Sequence, residues 1–486
     1  MRRHKPEIAI AALLLLTPVL VWVYWDLRLS WEIRAEWNRV REEGYPTSVD
    51  DLTPEPITDA QNAAIGYMRA MRQLTSLDSE ARAAGVPSPK REALDAADAY
   101  YPGASPARRE RLRQVLDAPI VKRALAETAR ASRLPACAFP RLQPAFPDAD
   151  AYALRWDEHM VLLTHIGDLI GQLGALCHAD GDTAAALECD LTRLRMAQHA
   201  LQCRSLPAQM TGSEMLVGGI RSIDQMLSTG MLTQAQVATV RRELDAIDLE
   251  TPLCDTIAHA RVLFAEEVFL TRGSLRNRLK GRCPPGGALP GVPCTGRWLR
   301  VHEALHGVRA RLYFTPVGAP WHKRDELEFL RMCRRLIDMA RLPSPGATRV
   351  PDQVRRDWCG GPCMAAMAPA TSGFARYGLD AVSNRAWVAN AIAECRVAIA
   401  LQVFHGRYGR YPQSIDELAA DSAVPVPPDP HSGKPFRYRL ADGGACEYYS
   451  VGENGRDDGG QHTVLIINLG DLIEDDCLRR CVPGPN

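Results

Sequence analysis

The sequence predicts a mainly α protein with an N-terminal transmembrane helix, a helical extracytoplasmic domain and a small α+β module at the C-terminus. Three observations carry this expectation. An uncharged run of 18 residues follows a basic N-terminus. Aromatics are only 6% of the 486 residues while Ala, Leu and Arg abound, a balance that favours helix over a β-sandwich. A hairpin pattern with its own turn signal falls after residue 430.

The apolar run is Ile8–Trp25, IAIAALLLLTPVLVWVYW, just long enough to span a bilayer as a helix. Arg2, Arg3, His4 and Lys5 precede it, so residues 1–7 are expected in the cytoplasm and the body outside. Trp22, Tyr24 and Trp25 stand where an interfacial aromatic belt forms. A cleaved signal peptide is the rival reading. The run ends without an A-x-A-like site and is long for a signal, which favours an uncleaved, single-pass anchor of a bacterial-type inner membrane with a periplasmic body. Pro18 is tolerated in lipid. The next segment, 26–58, continues as a helix over Leu27–Glu43 and stops at Gly44-Tyr45-Pro46.

Lys+Arg and Asp+Glu both total 58, so nothing concentrates positive charge for nucleic acid. The expected partners are the lipid bilayer and another envelope protein.

A helical domain is expected over 59–342, interrupted by Pro/Gly clusters near 85–89, 102–106, 135–147 and 284–293. Its best-defined piece is a hairpin, one helix over Asp157–His178, a turn at Ala179–Asp182, and a second helix to Cys203. Leu173-Gly174, Gly181 and Ala186 resemble the Leu-Gly, turn Gly and small packing residue of a tetratricopeptide repeat. Asp190 stands where that repeat has a large apolar residue, and no second copy follows at its period, so a generic helical hairpin is the reading.

Residues 343–384 comprise a linker rich in Pro, Gly and small residues and the start of a helix. That helix is expected over Leu379–His405, with Val388, Ile392, Cys395, Ile399 and Val403 as its apolar stripe and a break at Gly406. Ser414 and Glu417 form a capping-box pattern after Tyr411-Pro412. The front of the chain has the same punctuation in Tyr45-Pro-Thr-Ser48-Val-Asp-Asp51-Leu52. This is either an internal echo or two independent solutions to capping.

From Val388 to Val464 the chain carries three motifs in order: AIALQVFHGRYGRYPQSIDEL, DPHSGKPFRYR and YYSVGENGRDDGG. In these it resembles the C-terminal half of the major pseudopilin of type II secretion. The resemblance implies a helix packed on a small antiparallel sheet, here residues 385–474 followed by a tail at 475–486. It also implies a calcium-binding final loop, here Ser450–Gly460, with Asn454, Asp457 and Asp458 as side-chain ligands. A loop rich in oxygens and loosened by glycine suits a hard cation. The N-terminus lacks the Gly-Phe processing site of that family, and roughly 360 residues separate the matching helix from the anchor. What is implied is a borrowed head fold without fibre assembly.

His302-Glu303-Ala-Leu-His306 matches H-E-x-x-H, in which two His one turn apart hold zinc and Glu303 serves as general base. Glu326 or Glu328, beyond His322, would complete such a site. Arg300, Arg309 and Arg311 surround the motif, as on a solvated helix face. A membrane-anchored zinc metallopeptidase is therefore the alternative to an envelope interaction or scaffold protein.

Fourteen cysteines, an even number, suit an oxidising compartment. Cys283 with Cys294, Cys359 with Cys363, and Cys477 with Cys481 are the disulfide candidates, whereas Cys177 and Cys395 read as buried thiols.

Overall fold

The computed structural model describes residues 5–52, 57–83, 106–139, 158–266, 269, 315–342 and 369–421 and, with short breaks, 425–481. Helix α1 is one uninterrupted element, Lys5–Glu42, that joins the apolar run to the membrane-proximal segment through Pro18. It ends where Gly44 takes φ 80°, letting the Gly44 and Tyr45 amides reach back to the Arg41 and Val40 carbonyls. The capped turn follows. Asp51 accepts from the Thr47 and Ser48 amides at 2.9 Å, and the Ser48 hydroxyl accepts from the Asp51 amide. Leu52 drops into the core behind it.

Ten further α-helices of the described residues follow as far as Tyr408. They are α2 (Ala63–Ala83), α3 (Pro106–Asp117), α4 (Pro119–Ala131), α5 (Glu158–Ala179), α6 (Thr183–Leu201) and α7 (Leu206–Ser228). Beyond these come α8 (Gln234–Asp245), α9 (Glu250–Ala265), α10 (Ala319–Arg341) and α11 (Pro369–Tyr408). The short α12 (Ile415–Ala420) closes the set. The α5–α6 hairpin lies where the sequence places it. Gly181 supplies positive φ in its turn, and Asp182 caps α6 by accepting from the Ala185 amide at 3.0 Å.

Helix α11 differs from expectation at both ends. It begins at Pro369, because Phe374 and Ala375 are fully buried and extend the apolar face back past Leu379. It ends at Tyr408, because Gly409 (φ 67°) makes the reversal while Gly406 stays helical under the Gln234 amide. At 1.5 Å per residue, its 40 residues run about 60 Å.

That length spans two apolar clusters. Phe374, Leu379 and Val382 of α11 join Leu29 and Ile33 of α1, Phe264 of α9, and Phe329, Leu330 and Leu336 of α10. Phe264 stacks on Phe329 with centroids 4.6 Å apart, and Phe374 meets Phe329 edge-on at 5.0 Å. Val388, Ile399, Leu401 and Phe404 belong instead to the main core with α2 through α8.

Among the described residues, two helices are long and apolar enough to cross a membrane by length and composition, α5 over His159–Ala179 and α11 over Phe374–Tyr408. Both windows are more than half buried by the rest of the fold, as core helices are.

The C-terminal strands are short. β1 (Arg437–Leu440) and β2 (Cys446–Tyr449) form the expected antiparallel hairpin, with Gly444 at φ 82° in its turn. β5 (Arg479–Cys481) adds to the far side of β2, giving the order β1-β2-β5. β3 (Thr463–Ile467) and β4 (Asp471–Asp475) pair separately. Phe436, Cys446 and Tyr448 sit in the main core with α11, so the core does not stop at the helical domain.

Leu401, fully buried on α11, tests this arrangement. Leu401→Ala should lower unfolding free energy by about 2–5 kcal/mol in denaturant titration. A loss below about 1 kcal/mol would place Leu401 outside a packed core.

Candidate functional site

Three places gather functional-looking side chains: the seam of α1 and α10, the polar groups inside the α6–α7 layer, and the C-terminal loop.

On α1, Leu29, Ile33, Glu36 and Val40 recur at helical spacing and are buried. Nearer the N-terminus Leu16, Val19, Leu20, Val21, Tyr24 and Leu27 are exposed, an apolar collar that nothing in the described fold covers. Where the collar ends, charge begins. Asp26 accepts from the Lys323 ammonium through both oxygens at 2.7 Å. Glu32 meets Arg331 at 2.9 Å, and Glu36 meets Arg334 at 2.6 Å. Every acid in these pairs lies on α1 and every base on α10, and partner numbers rise together, so the helices run parallel. Trp22 donates to the Val317 carbonyl at 2.9 Å just before α10 begins.

This seam also uses two groups considered for zinc. Glu326 is buried, and burial raises its carboxyl above the usual range, with Trp37 of α1 pulling the other way. Glu328 pairs with Arg331 at 3.4 Å. His322 meets the Phe269 ring edge-on. His302, Glu303 and His306 lie outside the described residues.

Within the α6–α7 layer, Asp190 explains its own departure from the repeat pattern. It is fully buried and accepts from the Ser222 hydroxyl of α7 at 2.5 Å. The Arg193 guanidinium stands 3.9 Å away and covers Gly218, where any Cβ would collide with it. Burial dominates and pushes the Asp190 carboxyl up to about 6, with Ser222 and Arg193 pulling the other way. His199 is held neutral, pushed down to about 4 by burial. Its Nε2 faces the Leu134 carbonyl at 2.9 Å and so carries the proton, leaving Nδ1 to accept from the Tyr67 hydroxyl at 2.7 Å. These contacts join elements far apart in sequence and leave no open coordination position.

In the C-terminal loop, Asp429 is the organising acid. It is buried and accepts from the His431 and Val451 amides and from the Ser432 and Ser450 hydroxyls. Asp457 accepts from the Tyr449 hydroxyl at 2.9 Å and pairs with Arg437 at 2.8 Å. The Tyr449 hydroxyl bond is the largest cause lowering its carboxyl below the usual range. Asn454 and Asp458 lie outside the described residues. No group of three or more His, Cys, Asp or Glu poised for a metal occurs among the described residues. Behind the loop, the Tyr448 hydroxyl donates to Asp224 of α7 at 3.1 Å and reaches the Glu394 carbonyl of α11 at 3.3 Å.

Of the disulfide candidates, Cys283, Cys294, Cys359, Cys363 and Cys477 lie outside the described residues, while the backbone of Cys481 belongs to β5. A cleft of about 280 Å³ opens between the ends of α6 and α8 and the start of α9, lined by Gln198, Gln202, Arg204, Asp248, Thr251 and Asp255. Arg204 has φ 44°, the one non-glycine residue with positive φ among those described. It is held by His259 at 3.1 Å and Asp255 at 3.4 Å, so the Arg204 charge is paired within the cleft.

Comparison with known protein families, with curated proteins and with solved structures finds no match for this chain.

Two predictions follow from these geometries. A folded-state pKa of about 6 lies above the ordinary value of about 3.9, so Asp190 contributes stability that is complete below about pH 4 and lost as pH rises through 6. Asp190→Asn should gain on wild type as pH rises from 4 to 6.5, by on the order of 2–3 kcal/mol in denaturant midpoints. His199 slopes the other way across this window and cancels in the difference. A flat difference would mean that Asp190 is ionised throughout. For the loop, Arg437→Gln frees Asp457 of its ion pair. If Asp457 serves calcium, the melting shift between calcium and chelator should be larger in this variant, reaching about 1.4 kcal/mol at tenfold excess over Kd. Identical melts for both proteins in both conditions exclude it.

Proposed function

We propose that this chain is a single-pass envelope protein, anchored in a bacterial-type inner membrane by the start of α1, whose periplasmic body serves as an interaction or scaffold unit. The observation that carries the reading is the passage along α1 from an exposed apolar collar directly into a paired seam, without a break in the helix. A collar of this composition is stable in lipid and costly in water. The seam then fastens the body to the anchor at a fixed angle, where a flexible linker would leave it free to tumble.

The C-terminal module is proposed as a pseudopilin-like head put to use as a binding face. Tyr448 supports this, since it ties the hairpin to α7 and α11 and keeps the loop ends on the rigid body. Calcium is proposed for the Ser450–Gly460 loop on the resemblance and on its oxygen-rich composition.

A reporter fused after Asn486 tests the topology. One that is active only outside the cytoplasm should be active, and one that fluoresces only in the cytoplasm should be dark. The reverse pattern would invert the orientation and end the periplasmic reading.

A further inference from the structure

The short β5 strand fixes a relation that sequence spacing does not display. It pairs antiparallel with β2, setting Arg479 opposite Tyr448, Arg480 opposite Glu447 and Cys481 opposite Cys446. Residues at one register position of an antiparallel pair share a face of the sheet, with Cβ atoms about 4.5–5.5 Å apart. A disulfide requires Cα atoms about 4.4–6.8 Å apart and Cβ atoms about 3.5–4.5 Å apart, so a small adjustment suffices. The face is the inner one, since Cys446 and Tyr448, two residues apart, are both fully buried. β5 also lies against α7, so the strand rests on the body rather than beside it.

From this register we infer that Cys446 and Cys481 form a disulfide under oxidising conditions, fastening the C-terminal segment to the hairpin. The pair rests on the proposed extracytoplasmic body for its occurrence in the cell. As it forms, two thiols lose two protons and two electrons and one S–S bond is made. A small-molecule disulfide accepts both and is released as two thiols, through a mixed-disulfide intermediate.

The experiment uses the full chain, purified in detergent, reduced, and then equilibrated with oxidised glutathione. Digestion without reduction, followed by mass spectrometry, should recover the Cys446 peptide joined to the Cys481 peptide. Cys254, Cys333 and Cys395 should be alkylated once the chain is unfolded. Cys481 joined to Cys477, or both Cys446 and Cys481 alkylated, overturns the pairing. Cys481→Ser should leave Cys446 alkylatable and lower the melting temperature of the oxidised protein by about 5 °C. An unchanged melting temperature counts against a closed staple. Repeating the mapping on protein alkylated inside the cell separates the questions. A pair formed in vitro but absent there overturns the extracytoplasmic reading and leaves the pairing intact.

Discussion

Helix α11 is the constraint on which the rest of the structure depends. It is apolar over most of its circumference, with Phe374, Val382, Val388, Cys395, Ile399 and Leu401 each essentially without solvent contact. A helix of that kind is stable only when surrounded, by lipid or by protein. Here protein does it, and at 40 residues no single layer of neighbours can cover the whole length. Its first half is wrapped by α9 and α10, and its second half by α7, α8 and the β1–β2 hairpin. The two apolar clusters are therefore neighbours along one rod, and each fixes the other's position.

Polar groups inside this body define register more than they add stability. Asp190 on Ser222, Tyr448 on Asp224, His199 on Tyr67 and Asp429 in its loop each join segments that hydrophobic packing alone would let slide. Burying Asp190 costs free energy, as its raised carboxyl indicates. What is gained is that a shift of α6 by one turn against α7 would leave a buried carboxyl without Ser222 and press Arg193 against a side chain larger than Gly218. The α1–α10 seam works the same way at the surface. Single exposed pairs contribute about 0–1 kcal/mol, but three rungs of one polarity select a parallel register.

What the sequence made legible was local. The α5–α6 hairpin, the two Ser caps at Ser48 and Ser414, the stop at Gly44 and the β1–β2 turn all depend on residues within a few positions of one another. Even there Glu417 departs from a reciprocal box, since its carboxylate takes the Gln413 amide and Arg410 instead. The seam was illegible because Asp26 and Lys323 are separated by 297 positions, and ordinary charged helix residues announce no partner. The full length of α11 was hidden because Pro, Gly and small residues at its start read as a linker, while the burial of Phe374 and Ala375 depends on α9 and α10. Asp429 was visible as part of a motif, but its role as the acceptor for four donors required the loop to close on it. The H-E-x-x-H motif and most disulfide candidates fall outside the described residues and gain nothing from the fold.

The geometry bears on why such a body would be held by a helix rather than by a tether. From Trp25 to Glu42 the rise along α1 is about 26 Å, and α10 runs alongside for most of it. A tethered domain would need no seam, and the acids of α1 would have no reason to match the bases of α10 rung by rung. The seam passes orientation to α10, the phenylalanine cluster passes it to α11, and Tyr448 passes it to the C-terminal hairpin. Each step is a contact between rigid elements, so the hairpin and its loop keep a set height and direction relative to α1. Under the proposed envelope reading, such fixed presentation would lower the orientational cost of each encounter with a partner held in the same membrane.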